Sequence, residues 1–395
     1  MPAAHGTASL RHPGPARQAY LSHTCATYPR IAHSAAGWEE KALALSCPEA
    51  ARLVLLSPSL VTATDLHKNQ TADRGQFPEH LDTEGGGGFN PRINPAHKTE
   101  ALAPEGPGLP AHFHPIRAAT LGLIRNRLYP LWQRLFLLDL LCRRLDAITR
   151  GELQRTVPGF LADFASTVST GALRPAMETL PADRAAQLDI VLRLAGLMLH
   201  KSNIRPRFVE CIRAFTTGIG NGPGSTLESL TAHYAFAHDR HYEPFIEGHP
   251  HIMENFLINT AVRTQFPFGK EAMRDGAPPN MTKEFAQLAA QFTLIRGLLI
   301  GVAGHHGAAF STAHVVHTVQ SASKHFEHHP EFLKLAHALL VESGMDGARG
   351  LAILLRKPEL RKPEFRNEER YRASREPRPA VPAIPVPDRR GERSA

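Results

Sequence analysis

The densest run of groups able to do chemistry is HYEPFIEGHPHIMENFLINTAVRTQFPF, residues 241–268. It sets Tyr242, Glu243, Glu247, His249, His251, Glu254, Asn255, Asn259 and Arg263 among Phe and Ile residues. Carboxylates, imidazoles and phenols are the proton carriers of acid–base catalysis, while amides and guanidinium groups orient polar partners. On a helix starting near His251, Asn255 and Asn259 share one face at i, i+4, with Glu254 one residue round. A polar stripe inside an apolar helix must be hydrogen-bonded or face solvent. Capping and bonding to another helix would satisfy it, and so would lining a pocket.

Histidine is over-supplied, with 23 copies. His238/His241 and His314/His317 stand at i, i+3, the spacing of two metal ligands on one helix face, and His305–His306 and His328–His329 are adjacent. A metal site also needs further ligands and outer partners, and no HEXXH or comparable set supplies them. The four cysteines, Cys25, Cys47, Cys142 and Cys211, are too scattered for a disulfide framework. Cys25 and Cys47 alone make neither a zinc nor an iron–sulfur site, and Cys142 and Cys211 sit in apolar helical patterns, as core thiols do. GIGNGPG at 218–224 has the look of a nucleotide-binding loop, but the preceding VECIRAFTT reads as helix where that loop requires a strand. It is expected to be a helix-terminating loop.

Helices must position these groups. LSCPEAARLVLL reads as a helix with Ser46 at the N-cap and Glu49 completing a capping box. IRAATLGLIRNRLYPLWQRLFLLDLLCRRLDAI is helical and broken at Pro130, with Leu131, Leu135, Leu138, Cys142 and Leu145 on one face. Further helices are expected at Gln187–His200, Pro206–Phe215, His251–Arg263, Lys283–Val302, Ala313–His325 and Glu331–Val341. Strand signals are nearly absent, so the fold class is mainly α, a multi-helix body of about eight helices. Residues 1–60 form a short cysteine-containing segment and 61–112 a Gly/Pro-rich linker or insertion. The helical body spans 113–355, and 356–395 is a disordered, basic, Pro-rich tail.

Charge narrows the partners. The net +8 includes +5 from residues 356–395, which leaves +3 over the rest, too little for a phosphate-tracking body. No nucleic-acid partner is expected. Nor is a membrane partner: the most apolar run, Phe292 to Ala303, is short and carries Arg296. The opening residues lack the apolar core of a signal peptide, so the chain reads as cytoplasmic.

SHTCATYPR (22–30), GWEEKALALSCPEAARLVLL (37–56), ENFLIN…FPF (254–268), FTLIRGLLIGVAGHH (292–306) and VQSASKHFEHHPEFL (319–333) together resemble the flagellin lysine-N-methylase family. The likeness covers about residues 20–60 and 113–355. It implies a cytoplasmic enzyme that methylates lysine side chains of flagellin with S-adenosylmethionine, and an iron–sulfur or metal centre that begins with a CxxxCC cluster. Cys25 and Cys47 match the later cysteine positions and are the implied metal ligands. CxxxCC itself is missing, so the sequence reads as an N-terminally shortened member whose cluster is incomplete. Within that resemblance Glu254, Tyr242 and His251 are the candidates to take the amine proton or orient the amine, and Asn255, Asn259 and Arg263 to bind substrate or donor. The alternatives are a non-catalytic remnant that at most binds flagellin, and a His-rich metal-binding scaffold.

Overall fold

A computed structural model describes residues 28–35, 38–58, 60, 112–199, 204–269, 280–327 and 330–357. Cys25, His328–His329 and nearly all of the expected linker and tail lie outside them. Two strands open the described chain, β1 (Arg30–Ala35) and β2 (Trp38–Leu43), followed by α1 (Pro48–Leu56). The helical body runs α2 (Phe113–Arg125), α3 (Leu131–Thr149), α4 (Val157–Thr170), α5 (Arg174–Glu178), α6 (Arg184–Leu199), α7 (Pro206–Gly218) and α8 (Leu227–Ala237). A π-helical turn, His238–Tyr242, leads into α9 (Glu243–Gly248) and α10 (His251–Arg263). Then come α11 (Met281–His306), α12 (Thr312–Phe326), α13 (Pro330–Glu342) and α14 (Ala348–Leu355). The mainly α expectation is met with more helices than foreseen, because α4, α5, α8, α9 and α14 are short or weakly patterned.

Two expectations are corrected. RIAHSA and WEEKAL carry no β-branched alternation, yet they pair as an antiparallel hairpin with Arg30 opposite Leu43 and Ala35 opposite Trp38. A two-stranded ribbon is marginal alone; this one is held by the helical body. Second, α1 starts one residue later than expected. Cys47, not Ser46, is its N-cap, with no side-chain cap, and Glu49 pairs with Arg52 at 2.6 Å instead of closing a capping box.

The centre of the body is α11, a 26-residue helix buried through nearly all of its length. A helix that is apolar all round belongs inside other helices, and α3, α6, α7, α8, α12 and α13 surround it. By length and composition Met281–Ala309 could cross a membrane, but its whole apolar window is buried within this chain. Its one interior cation, Arg296, donates to the carbonyls of Leu354 and Leu355, orphan acceptors at the end of α14. Asp146, from the end of α3, accepts from the Met281 and Thr282 amides at 2.9 Å each and so caps the start of α11.

Glycine sets how closely α7 lies on α11. A Cβ on Gly218 would stand 1.8 Å from the Gly301 carbonyl oxygen, and one on Gly301 would meet the Phe215 ring at 2.4 Å. One on Gly304 would meet Gly218 O at 2.7 Å. The two helices therefore touch backbone to backbone, which brings Glu210, Cys211 and Ala214 of α7 opposite Val302, His305 and His306 of α11.

Candidate functional site

Asn255 and Asn259 of the α10 polar stripe bond the backbone of the N-terminal segment. Asn259 pairs with Leu43 as a neighbouring strand would: its Oδ1 accepts from Leu43 N at 3.0 Å and its Nδ2 donates to Leu43 O at 2.8 Å. One turn earlier, Asn255 Nδ2 donates to Val54 O at 2.9 Å and Ser57 O at 2.7 Å, satisfying the C-terminal carbonyls of α1. From the end of α12, Glu327 accepts both the Leu45 and Ser46 amides at 3.1 Å. Gln320 donates to Ser46 O at 2.7 Å. His33 Nε2 bonds Arg263 O at 2.8 Å, and Arg117 holds Glu40 through two contacts, at 3.0 and 2.5 Å. The hairpin and α1, with Cys47 between them, are thus pinned to the helical body, mostly by side chains that reach their backbone. Of the two readings of the stripe, bonding between elements is the one its geometry realises.

The other sequence candidates meet separate surroundings. Glu254 accepts from Arg127 at 3.0 and 2.9 Å and from Arg134 at 2.7 Å, so both oxygens are engaged. Arg134 is held below the ordinary guanidinium range by burial, against the pull of Glu254, and it also donates to Tyr129 O and Ile124 O. This carboxylate acts as an anchor joining α10 to the α2–α3 corner. Tyr242 is buried at the end of the π turn, and burial pushes its phenol well up, so it stays protonated. His251 is half-buried; burial, His249 and Arg127 lower its pKa, against Glu254. Arg263 lies 3.6 Å from Glu327, an ion pair without a hydrogen bond.

The i, i+3 histidine pairs differ in fate. His238 is buried between Asp239 at 2.7 Å and Glu243 at 3.4 Å, while His241 packs edge-on against Phe236. His314 and His317 instead face a cavity of about 280 Å³ lined by Glu210, Cys211, Ala214, Val302, His305, His306, His314, His317 and Thr318. There the His306 and His314 rings stack at 3.7 Å between centroids. His305 lies edge-on to His306 at 4.8 Å, and Cys211 Sγ is 4.0 Å from His317 Nδ1. Burial and neighbouring imidazoles hold His306 and His314 below the ordinary histidine value, and burial lifts the Cys211 thiol to about 11. This meeting of α7, α11 and α12 is not apparent from the histidine spacing; the glycines at 297, 301 and 304 were the available signal of a close helix crossing.

The chain matches the family model described as the FliB lysine N-methylase C-terminal domain over residues 117–354, more than half of its length. It belongs to that family. No curated protein and no solved structure matches it. The match takes in α10, the cavity and the Glu254 anchor, and stops short of Cys47.

The centre and donor implied by the resemblance can be tested for fit. Cys47 is half-buried at α1, whereas Cys142 and Cys211 are buried in α3 and α7 with their thiols pushed up by burial. Among the described residues no three His, Cys, Asp or Glu side chains are placed to hold a metal ion. A four-thiolate cluster does not fit these residues. The cavity, at about 280 Å³, is at the floor of the roughly 300–1,000 Å³ of small-molecule sites. That volume matches a long side chain.

Proposed function

We propose that this protein methylates the side-chain amines of flagellin lysines in the cytoplasm, with S-adenosylmethionine as donor. The observation that carries the reading is the family match over residues 117–354. Only a neutral amine has the lone pair to attack a methyl group, and a lysine of pKa about 10.4 is almost wholly protonated near neutral pH. The acceptor site must therefore strip water from the ammonium, take its proton, or both.

The chain's own groups divide between these tasks. Of Glu254, Tyr242 and His251, only His251 is both partly exposed and held neutral near pH 7. Asn255 and Asn259 serve the reaction by fixing where the cysteine-bearing segment sits, and Glu254 by holding α10 to the α2–α3 corner. Arg263 contributes its backbone carbonyl to the same docking.

The test is incubation of the full chain with flagellin and S-adenosylmethionine, with methyl-lysine read by mass spectrometry. Methylation above a donor-free control supports the reading. Flagellin bound without methylation would leave the remnant reading.

A further inference from the structure

The cavity between α7, α11 and α12 is used by nothing above. Its walls are of two kinds. Ala214 and Val302 are apolar; Glu210, Cys211, His305, His306, His314 and His317 are the titratable groups that face it from the three helices. A lysine side chain has the same two parts, a methylene stem and a charged head that seeks a carboxylate and a proton acceptor.

The imidazoles are not equivalent. Ser311 donates its backbone N–H to His314 Nδ1 at 3.2 Å, so in the neutral ring Nε2 carries the proton. That tautomer has no spare lone pair for a metal. His306 is stacked on it, and its neutral ring carries one basic nitrogen. The cavity is also tied to the dense stretch at 241–268 by a run of touching rings: His249 on Phe245 at 4.4 Å, Phe245 against Phe310 at 4.8 Å, and Phe310 with His314 at 6.1 Å.

We propose that this cavity is an alkylamine site, which takes a lysine side chain along Ala214 and Val302, draws its ammonium to Glu210, and passes one ammonium proton to His306. The proposal rests on the methylase reading and names its acceptor site. The step balances: R–NH₃⁺ and neutral imidazole become R–NH₂ and imidazolium, with the proton on a His306 ring nitrogen and the lone pair left on the amine. In water it runs uphill by roughly four pK units. Apolar walls lower the pKa of the amine by desolvation.

The probe is n-butylamine, titrated into the full chain at constant pH while the histidine C2 protons are followed by NMR, with n-butanol as the uncharged control. Saturable binding that moves the His306 resonance towards its imidazolium position is expected. His306→Phe, which keeps a stacked ring, and Glu210→Gln should each weaken binding at least tenfold; His306→Gln replaces the first if it does not fold by circular dichroism. Absence of a saturable shift, or equal binding of n-butanol, overturns the proposal. So does Zn²⁺ binding that expels the amine and survives His306→Phe. Flagellin methylation at equal rates by parent and His306→Phe would remove this site and leave the methylase reading intact. Amine binding without any flagellin methylation would do the reverse.

Discussion

The α10 stripe and the imidazole cavity are both polar clusters among apolar helices, and they have opposite economies. Along α10 the Asn255 Nδ2 donor, the Asn259 amide and both Glu254 oxygens are matched by backbone or guanidinium groups, most of them from distant parts of the chain. In the cavity, imidazoles face one another and a void. A saturated cluster resists change because removing any member strands its partners. A polar cluster that borders a void is where another molecule can add contacts. Hydrogen-bonding capacity alone therefore does not mark a site; capacity beside space does.

Substitutions can break this contrast at either end. Gly218→Ala should do most damage, since its Cβ would stand 1.8 Å from the Gly301 carbonyl and neither helix can yield cheaply. A loss at or above the upper end of overpacking costs, about 3 kcal/mol, is expected from the urea midpoint, together with loss of n-butylamine binding. Glu254→Leu should come next. It strands Arg134, while Arg127 can turn to water because its side chain is 53% exposed against 7% for Glu254. That places the cost near the lower end for a broken buried pair, about 3 kcal/mol, with amine binding retained. Asn259→Leu leaves the Leu43 amide and carbonyl unpaired and should cost about 2 kcal/mol, with faster hydrogen exchange at Leu43 as the local readout.

The smallest effect is on pH. Burial holds His238, His251, His306 and His314 below the ordinary histidine value. Below about pH 6.5 the unfolded chain then binds more protons than the native one, so stability falls as pH falls and is flat above that value. The buried His238 should dominate, and His238→Asn should flatten the slope between pH 6.5 and 5 more than His306→Phe does. An unchanged slope in His238→Asn would contradict this.

How much of this could be read in advance depended on distance along the chain. The helix at His251–Arg263 begins and ends where its pattern placed it, and Pro130 does separate α2 from α3. These are local signals. The hairpin was invisible because its stabilising partners are remote: Asn259 lies 216 positions from Leu43. The displaced N-cap has the same cause, since the Ser46 amide is taken by Glu327, 281 positions away. The α10 stripe was recognisable as needing partners, but its two readings could be separated only once the chain had brought Val54 and Leu43 to it. The cavity was legible as four histidines and illegible as a place, because three helices from separate stretches build it.

The glycine contact between α7 and α11 has one more consequence. Where two helices are spaced by interlocking side chains, exchanging one of those side chains also moves the wall. Here the gauge between two of the three walls is main chain against main chain, at Gly218 and Gly301, and the residues of α7 and α11 that give the cavity its chemistry are not those that set their spacing. Bore and lining are separable variables. Glu210, His306 or Val302 can be exchanged for other side chains of similar bulk and the result read as a change of chemistry in a socket of constant calibre. That makes the cavity a suitable place to install selectivity for another amine.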